Sequence, residues 1–303
     1  MLVILSALLP LLLVGLLGSL FKATRIADDG WVTILNRYAM YAAFPAVIIH
    51  SLIGADKGKV LDMPVILLNA GLLLLVFLVA LLVTRLARTP VGLANTYIIV
   101  SFFGNIGYLG FPYISAMIPG SEGMTSMHIS IYNILLFTLG IARLEHSKGH
   151  ERCKRLILKE IFGNPLLIAV GVGLALLITG LKLPDFLLKT FELLYKSATP
   201  VVLFALGIFM VRRYDWRGHL PHILGLSALR LLLVPGLFIL MMLLFRPGAN
   251  FQISVLQAGM PLALTPFALA EKYPLEREII APAILVSTLL SPLTLALFYE
   301  LVR

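Results

Sequence analysis

Of the 303 residues, 60% are hydrophobic and 13% are charged, and the mean hydropathy is +0.99. This composition excludes an ordinary soluble domain and indicates an all-α polytopic membrane protein in a lipid bilayer. The net charge of +9 does not indicate a nucleic-acid partner, because the lysines and arginines fall in short clusters between apolar runs. A single cysteine excludes a disulfide framework and a cysteine-built metal site.

Apolar runs of about 18 to 25 residues, long enough to cross ~30 Å of hydrocarbon, recur along the chain. We therefore predict ten transmembrane helices. In chain order they fall at about 2–21, 32–53, 64–85, 91–117, 123–143, 164–181, 186–211, 220–245, 251–271 and 279–301.

The distribution of lysine and arginine between the spans predicts the orientation of the chain. Sixteen lie in one set of alternate connections and seven in the other, and Arg230 lies within a span, which accounts for all 24. Positive charge is enriched on the cytoplasmic side. We therefore expect a cell-membrane protein with both termini outside and a cytoplasmic linker at 145–160.

Prolines and glycines recur at one spacing, which indicates an internal repeat. The linker would separate a first five-helix repeat, 1–144, from a second, 161–303, and an odd number of spans per half requires inverted topology. Chance predicts about half a proline pair at any one spacing, whereas three proline pairs are separated by 155 residues. The pairs separated by 155 residues are Pro10 and Pro165, Pro45 and Pro200, Pro119 and Pro274, Gly18 and Gly173, and Gly104 and Gly259.

Two spans at matching positions of the repeat, the fourth and the ninth, carry helix-weakening residues near mid-membrane. Irregular backbone at that depth persists only where protein, water or solute supplies hydrogen-bond partners, so we expect broken helices at a transporter's central site. The alternative is that these residues only kink helices and allow close packing. They are Gly104, Gly107, Gly110 and Pro112 in the fourth span and Met260, Pro261 and Pro266 in the ninth.

Three polar side chains fall near these breaks. The amides of Asn105 and Gln257 could bind a carboxylate, or could bridge neighbouring helices. Arg230 is the one charged residue near the middle of a span. Its guanidinium could pair with an anionic solute, or could donate to the free carbonyls where a broken helix ends.

Three aromatic residues also lie near the first break. Phe103, Tyr108 and Phe111 could stack on an aromatic solute, or could simply pack against neighbouring side chains.

Enzymatic and metal-dependent activities find no support in the sequence. It contains no hydrolase or zinc-protease motif, no P-loop and no pair of acidic residues at mid-membrane. We therefore expect no enzyme, no cofactor, no metal site and no ATP-driven transport. The same distribution of acids argues against a proton relay across the membrane and weakly against a carboxylate-built sodium site. It leaves open a sodium site built from carbonyls at the broken helices.

Several motifs together resemble the auxin efflux carrier family, which includes bacterial organic-acid carriers and the plant PIN exporters. The stretch Asn105-x4-Gly110-x-Pro112 is similar to the family pattern of the fourth helix, and Met260-Pro261 through Tyr273 is similar to its ninth-helix signature. Leu35-Asn36-Arg37, Phe44-Pro45 and Arg230 with Pro235 extend the resemblance over nearly the whole chain.

The resemblance implies crossing, proline-broken helices four and nine at the substrate site. It also implies a homodimer with a scaffold of helices 1, 2, 6 and 7 and a moving transport domain of helices 3–5 and 8–10. The function expected is export of a small organic anion, auxin-like or an organic acid, by elevator-type alternating access driven by the membrane potential. A sodium- or proton-coupled symporter and a non-transporting receptor remain alternatives.

Overall fold

The computed structural model describes residues 2–53, 55–148, 162–211, 218–245, 248 and 250–302. Over these residues the chain is helical, and its β-type pairing is one isolated bridge. Most of the predicted linker at 145–160 lies outside the described residues. The same holds for the predicted cytoplasmic charges Arg212, Arg213 and Arg217.

The first half begins with α1 (Leu2–Ala23) and then forms a continuous helix through α2 (Asp29–Tyr38), a π-helical turn (Ala39–Ala43) and α3 (Phe44–Ile53). After the short α4 (Lys57–Val60) come α5 (Met63–Leu86) and α6 (Val91–Phe102). A π-helical turn (Ile106–Gly110) leads into α7 (Phe111–Met117), and α8 (Glu122–Leu135) continues through a third π turn (Leu136–Gly140) into α9 (Ile141–Ser147).

The second half consists of α10 (Pro165–Thr179), α11 (Asp185–Met210) and α12 (Leu220–Ala228), followed by a π turn (Leu229–Leu233) and α13 (Val234–Phe245). Two short helices, α14 (Phe251–Ala258) and α15 (Thr265–Leu269), precede the long α16 (Arg277–Val302).

Polar caps explain where several apolar helices begin. The side chains of Asp28, Asp62 and Asn164 accept hydrogen bonds from backbone N–H groups of the first turns of α2, α5 and α10. Such a cap satisfies donors that have no partner within the helix. Proline occupies the first turn of α5 and α10, where its missing N–H is not needed.

Six helices of the described chain are long and apolar enough to cross a membrane. The protein is therefore an integral membrane protein with an all-helical fold. The six are 29–53, 57–86, 122–147, 185–210, 220–245 and 277–302, and shorter apolar helices cover 9–23, 91–102 and 165–179.

The chain divides into two compact units. Unit 1 comprises 1–61, 107–130 and 163–213, and unit 2 comprises 62–106, 131–162 and 214–303. The boundary passes between Ile106 and Gly107, so the first π-helical residue of that segment belongs to unit 2 and the rest to unit 1.

Unit 1 is organised around a close pairing of α1 with α11. A β-carbon at Gly207 would overlap the carbonyl oxygen of Gly15, and one at Gly18 would overlap that of Phe204. The Ser19 hydroxyl donates to the Gly207 carbonyl across the same contact, at 2.9 Å. Small residues thus allow the two backbones to touch, as in other packed membrane helices.

Candidate functional site

Two non-helical segments pair with each other inside unit 2. After α6 ends at Phe102, Phe103 is extended and Gly104 forms an antiparallel bridge with Leu262. The backbone N–H of Asn105 donates to the carbonyl of Pro261 at 2.7 Å. Each segment therefore supplies hydrogen-bond partners that its interrupted helix does not, as buried main chain requires.

The second segment lies between α14, which ends at Ala258, and α15, which begins at Thr265. Its Leu262 N–H donates to the Ser287 hydroxyl of α16 at 3.1 Å. The predicted site residues Gln257, Met260, Pro261 and Pro266 are all buried. Pro266 lies in the first turn of α15, where a proline removes no hydrogen bond.

Arg230 joins the ends of the two interrupted helices. It lies in the π turn Leu229–Leu233 with no exposed surface, and the described acceptors of its guanidinium are main-chain carbonyls. Nη1 donates to Ser101 in the last turn of α6 at 2.9 Å. Nε donates to Met260 at 3.1 Å, and Nη2 donates to Gln257 at 3.4 Å. These contacts match one of the two roles that the sequence allows, donation to carbonyls where an interrupted helix ends.

Gly104 leaves the space that this guanidinium occupies. A β-carbon at Gly104 would lie 2.7 Å from both Cζ and Nε of Arg230 and still closer to Nη2. Any other side chain would therefore displace the guanidinium from its carbonyls. Gly259 has a comparable role, because its β-carbon would lie 2.8 Å from the Phe298 ring.

Asn105 places an amide beside this pairing. Its side chain is 3% exposed, and Nδ2 has no hydrogen-bond partner among the described residues. A buried amide donor without a partner costs about 1–3 kcal/mol. It is therefore a group that a bound acceptor would satisfy.

Further buried hydroxyls of unit 2 also have no partner in the described chain, namely those of Ser254 and Thr288. The Tyr132 side chain lies beside the Arg230 guanidinium. The sequence does not single out Tyr132, because a tyrosine within an apolar run carries no pattern that distinguishes a site residue from a packing residue.

The remaining predicted residues of the fourth span belong to unit 1. Gly107 and Gly110 lie in the π turn Ile106–Gly110, and Pro112 lies in the first turn of α7. Tyr108 stacks on Phe44 with ring centroids 5.3 Å apart, and Phe111 contacts the Tyr195 ring edge-on at 6.1 Å. Within unit 1 these two aromatic residues therefore have packing partners.

Comparison with known proteins agrees with the membrane-embedded fold. The chain matches the family described as membrane transport protein over residues 3–299. It is 31% identical to an uncharacterized transporter of Methanothermobacter thermautotrophicus, over 96% of this chain and 95% of the relative.

Two further relatives carry more specific names. A putative malonate transporter of Rhizobium meliloti is 26% identical over 95% of this chain and 93% of its own length. Auxin efflux carrier component 8 of Arabidopsis thaliana is 29% identical over 40% of this chain and 34% of its own length. The predictions of the family and of a membrane transporter rather than an enzyme are confirmed. The chain belongs to the membrane transport protein family, the family of the auxin efflux carriers.

Proposed function

We propose that this transporter carries a small organic carboxylate anion and binds it at Asn105. The observation that carries the proposal is the buried, unpartnered Nδ2 of Asn105 beside the paired segments. A carboxylate oxygen is a strong acceptor for such a donor, and the interaction would satisfy an amide that the described protein leaves free.

The charge of Arg230 supports an anionic substrate. None of the ion pairs formed by the described residues includes Arg230, so its positive charge is not neutralised by one of those contacts. Charge–charge interactions are strong in a poorly solvated interior. Arg230 would favour an anion electrostatically while its N–H groups remain on the three carbonyls.

The names of two relatives support the chemical class. One is a putative malonate transporter and the other an auxin efflux carrier component, and malonate and auxin are both carboxylates. The proposed substrate of this chain is accordingly an organic acid or an auxin-like acid. Gly104, Gly107, Gly110, Pro112, Gln257, Met260, Pro261 and Pro266 would shape the site.

The proposed architecture has ten membrane helices in two inverted repeats, with the fourth and ninth interrupted and crossing. The non-helical residues after Phe102 and after Ala258, at related positions of the two halves, support it. Transport would follow an elevator mechanism in a homodimer, with a scaffold of helices 1, 2, 6 and 7. The division of the chain into two compact units supports a scaffold and a separate transport domain. Residues 107–130 differ from that assignment, because they fall in the fourth and fifth predicted helices but belong to unit 1.

The proposed orientation has both termini outside a cell membrane. A membrane-impermeant maleimide should label a cysteine at position 182 from outside and one at position 148 only from the cytoplasm, in a Cys153→Ser background. The opposite labelling would refute the orientation.

Uptake and counterflow in proteoliposomes test the proposed site. Asn105→Ala should lose most carboxylate counterflow, and Asn105→Asp should lose more, because it replaces a donor with a negative charge. Asn133→Ala, which alters another buried asparagine of unit 2, is the matched control and should retain transport. Normal counterflow by a folded Asn105→Ala protein would refute the site, and carboxylate binding without any flux in the wild type would indicate a receptor.

A further inference from the structure

Unit 2 contains a second feature, a cavity of about 850 Å³ between α5, the start of α6 and the α8–α9 helix. One end of it has an apolar wall, and the other is polar and basic. The apolar wall is built by Phe77, Leu78, Leu81, Leu82 and Leu139, whereas the opposite end holds Thr84, Arg85, Thr89, Arg143 and His146.

The apolar wall belongs to a surface of α5 that faces the surroundings of unit 2. Leu78 is 49% exposed and Leu82 is 56% exposed, and both line the cavity. Because α5 is long and apolar enough to cross a membrane, exposed leucines along it are positioned to meet lipid hydrocarbon. The cavity therefore has access to the acyl region of the bilayer.

The basic end has a donor that lacks a partner. The Nε of Arg143 is buried and makes no hydrogen bond within the described chain, while Arg85 and His146 are exposed. None of the described residues lining the cavity is acidic. This end belongs to the side where positive charge accumulates in the sequence, the expected cytoplasmic face.

We propose that this cavity binds an acidic glycerophospholipid. An acyl chain would lie along the apolar wall, and the phosphodiester would accept hydrogen bonds from Arg85 and Arg143. From Phe77 to Arg85 the helix rises roughly 12 Å, so an acyl chain and its headgroup can contact both ends together. A small soluble anion would use only the basic end, which is why the arrangement favours an amphiphile.

Thermal unfolding of the purified protein in detergent, with phosphatidylglycerol or phosphatidylcholine added, tests the proposal. Phosphatidylglycerol should raise the melting temperature in a saturable manner, and phosphatidylcholine should not. In the double variant Arg85→Gln/Arg143→Gln the apparent affinity for phosphatidylglycerol should fall about 30-fold. The reason is that each basic residue near the lipid surface contributes about 1 kcal/mol to binding.

Two further variants separate the cavity from general surface charge. Arg88→Gln removes one positive charge three residues from Arg85, outside the cavity lining, and should retain the wild-type affinity. Ala142→Phe keeps both arginines but fills the cavity, and should weaken the binding of phosphatidylglycerol.

Three results would overturn the proposal. The first is equal stabilisation of the wild type by phosphatidylcholine, and the second is equal stabilisation by glycerol 3-phosphate, which would indicate a free-anion site. The third is a loss in Arg88→Gln as large as that in the double variant, which would indicate surface charge alone. The first two results compare ligands on the wild-type protein, so they do not require any variant to fold. None of these experiments depends on the proposed transport function.

Discussion

Arg230 shows how main-chain carbonyls can hold a charge that is buried in a membrane protein. Its three acceptors are 129, 27 and 30 residues away along the chain. The planar guanidinium presents several N–H groups in a fixed fork, so one side chain reaches carbonyls of α6, of the last turn of α14 and of the segment that follows α14. This contact joins the ends of two helices whose own hydrogen bonding stops there.

Replacing Arg230 with methionine should therefore destabilise the protein. Methionine fills a similar volume, but it leaves the carbonyls of Ser101 and Met260 without the donor that Arg230 supplies, at about 1–3 kcal/mol for each buried group. The Gln257 carbonyl still accepts from the Met260 N–H. We expect the free energy of unfolding to fall by about 2–6 kcal/mol, seen as a lower melting temperature in detergent. Arg230→Lys should recover only part of this loss, because an ammonium group lacks the fork.

The melting temperature also separates the two roles that the sequence left open for Arg230. An Arg230→Met protein that melts like the wild type but no longer binds the carboxylate would contradict the capping role and favour direct contact with substrate.

The sequence selects Arg230 and Asn105 as candidate site residues, but it does not predict their surroundings. The sequence shows which charged residue lies deep within an apolar run, because a single charge among leucines is easily recognised. The hydrogen-bond acceptors of Arg230 are backbone carbonyls, and every residue type carries a backbone carbonyl. The sequence therefore does not indicate which carbonyls accept. The need for glycine at position 104 follows from the Arg230 guanidinium, a contact across 126 positions of sequence that local pattern does not contain.

At the scale of elements, helix bounds were predicted well where caps and charges mark them. The run expected at about 279–301 is α16, Arg277–Val302. The fourth span was less readable, because the expected interruption covers 104–112, whereas α6 ends at Phe102 and Pro112 already lies in the first turn of α7. The four π turns have no signal in sequences that are apolar on all sides.

The close pairing of α1 with α11 gives a prediction for Gly207. Gly207→Ala should destabilise the protein by about 1–3 kcal/mol, because its β-carbon would meet the Gly15 backbone and the helices would have to separate. Thermal unfolding should show a clear drop in melting temperature.

The matched control for Gly207 is Gly171→Ala in α10. A β-carbon at Gly171 has open space around it, and alanine is the better helix former by about 1 kcal/mol. The control should therefore melt at or above the wild-type temperature. If the two variants melt alike, the close approach of α1 and α11 does not contribute to stability.

For the whole molecule, the proposed transport of an anion predicts dependence on the membrane potential. Moving one negative charge through 100 mV changes the free energy by about 2.3 kcal/mol, or about 50-fold in the ratio of concentrations. In proteoliposomes with a potassium potential set by valinomycin, a monovalent carboxylate should accumulate on the positive side, and the direction should reverse with the potential. Replacing sodium with choline should leave the gradient unchanged, because transport driven by the potential alone needs no second ion. A sodium site built from main-chain carbonyls would instead make uptake depend on sodium. A gradient that follows sodium or pH rather than the potential would favour the coupled symporter, since the potential alone would then not be the driving force.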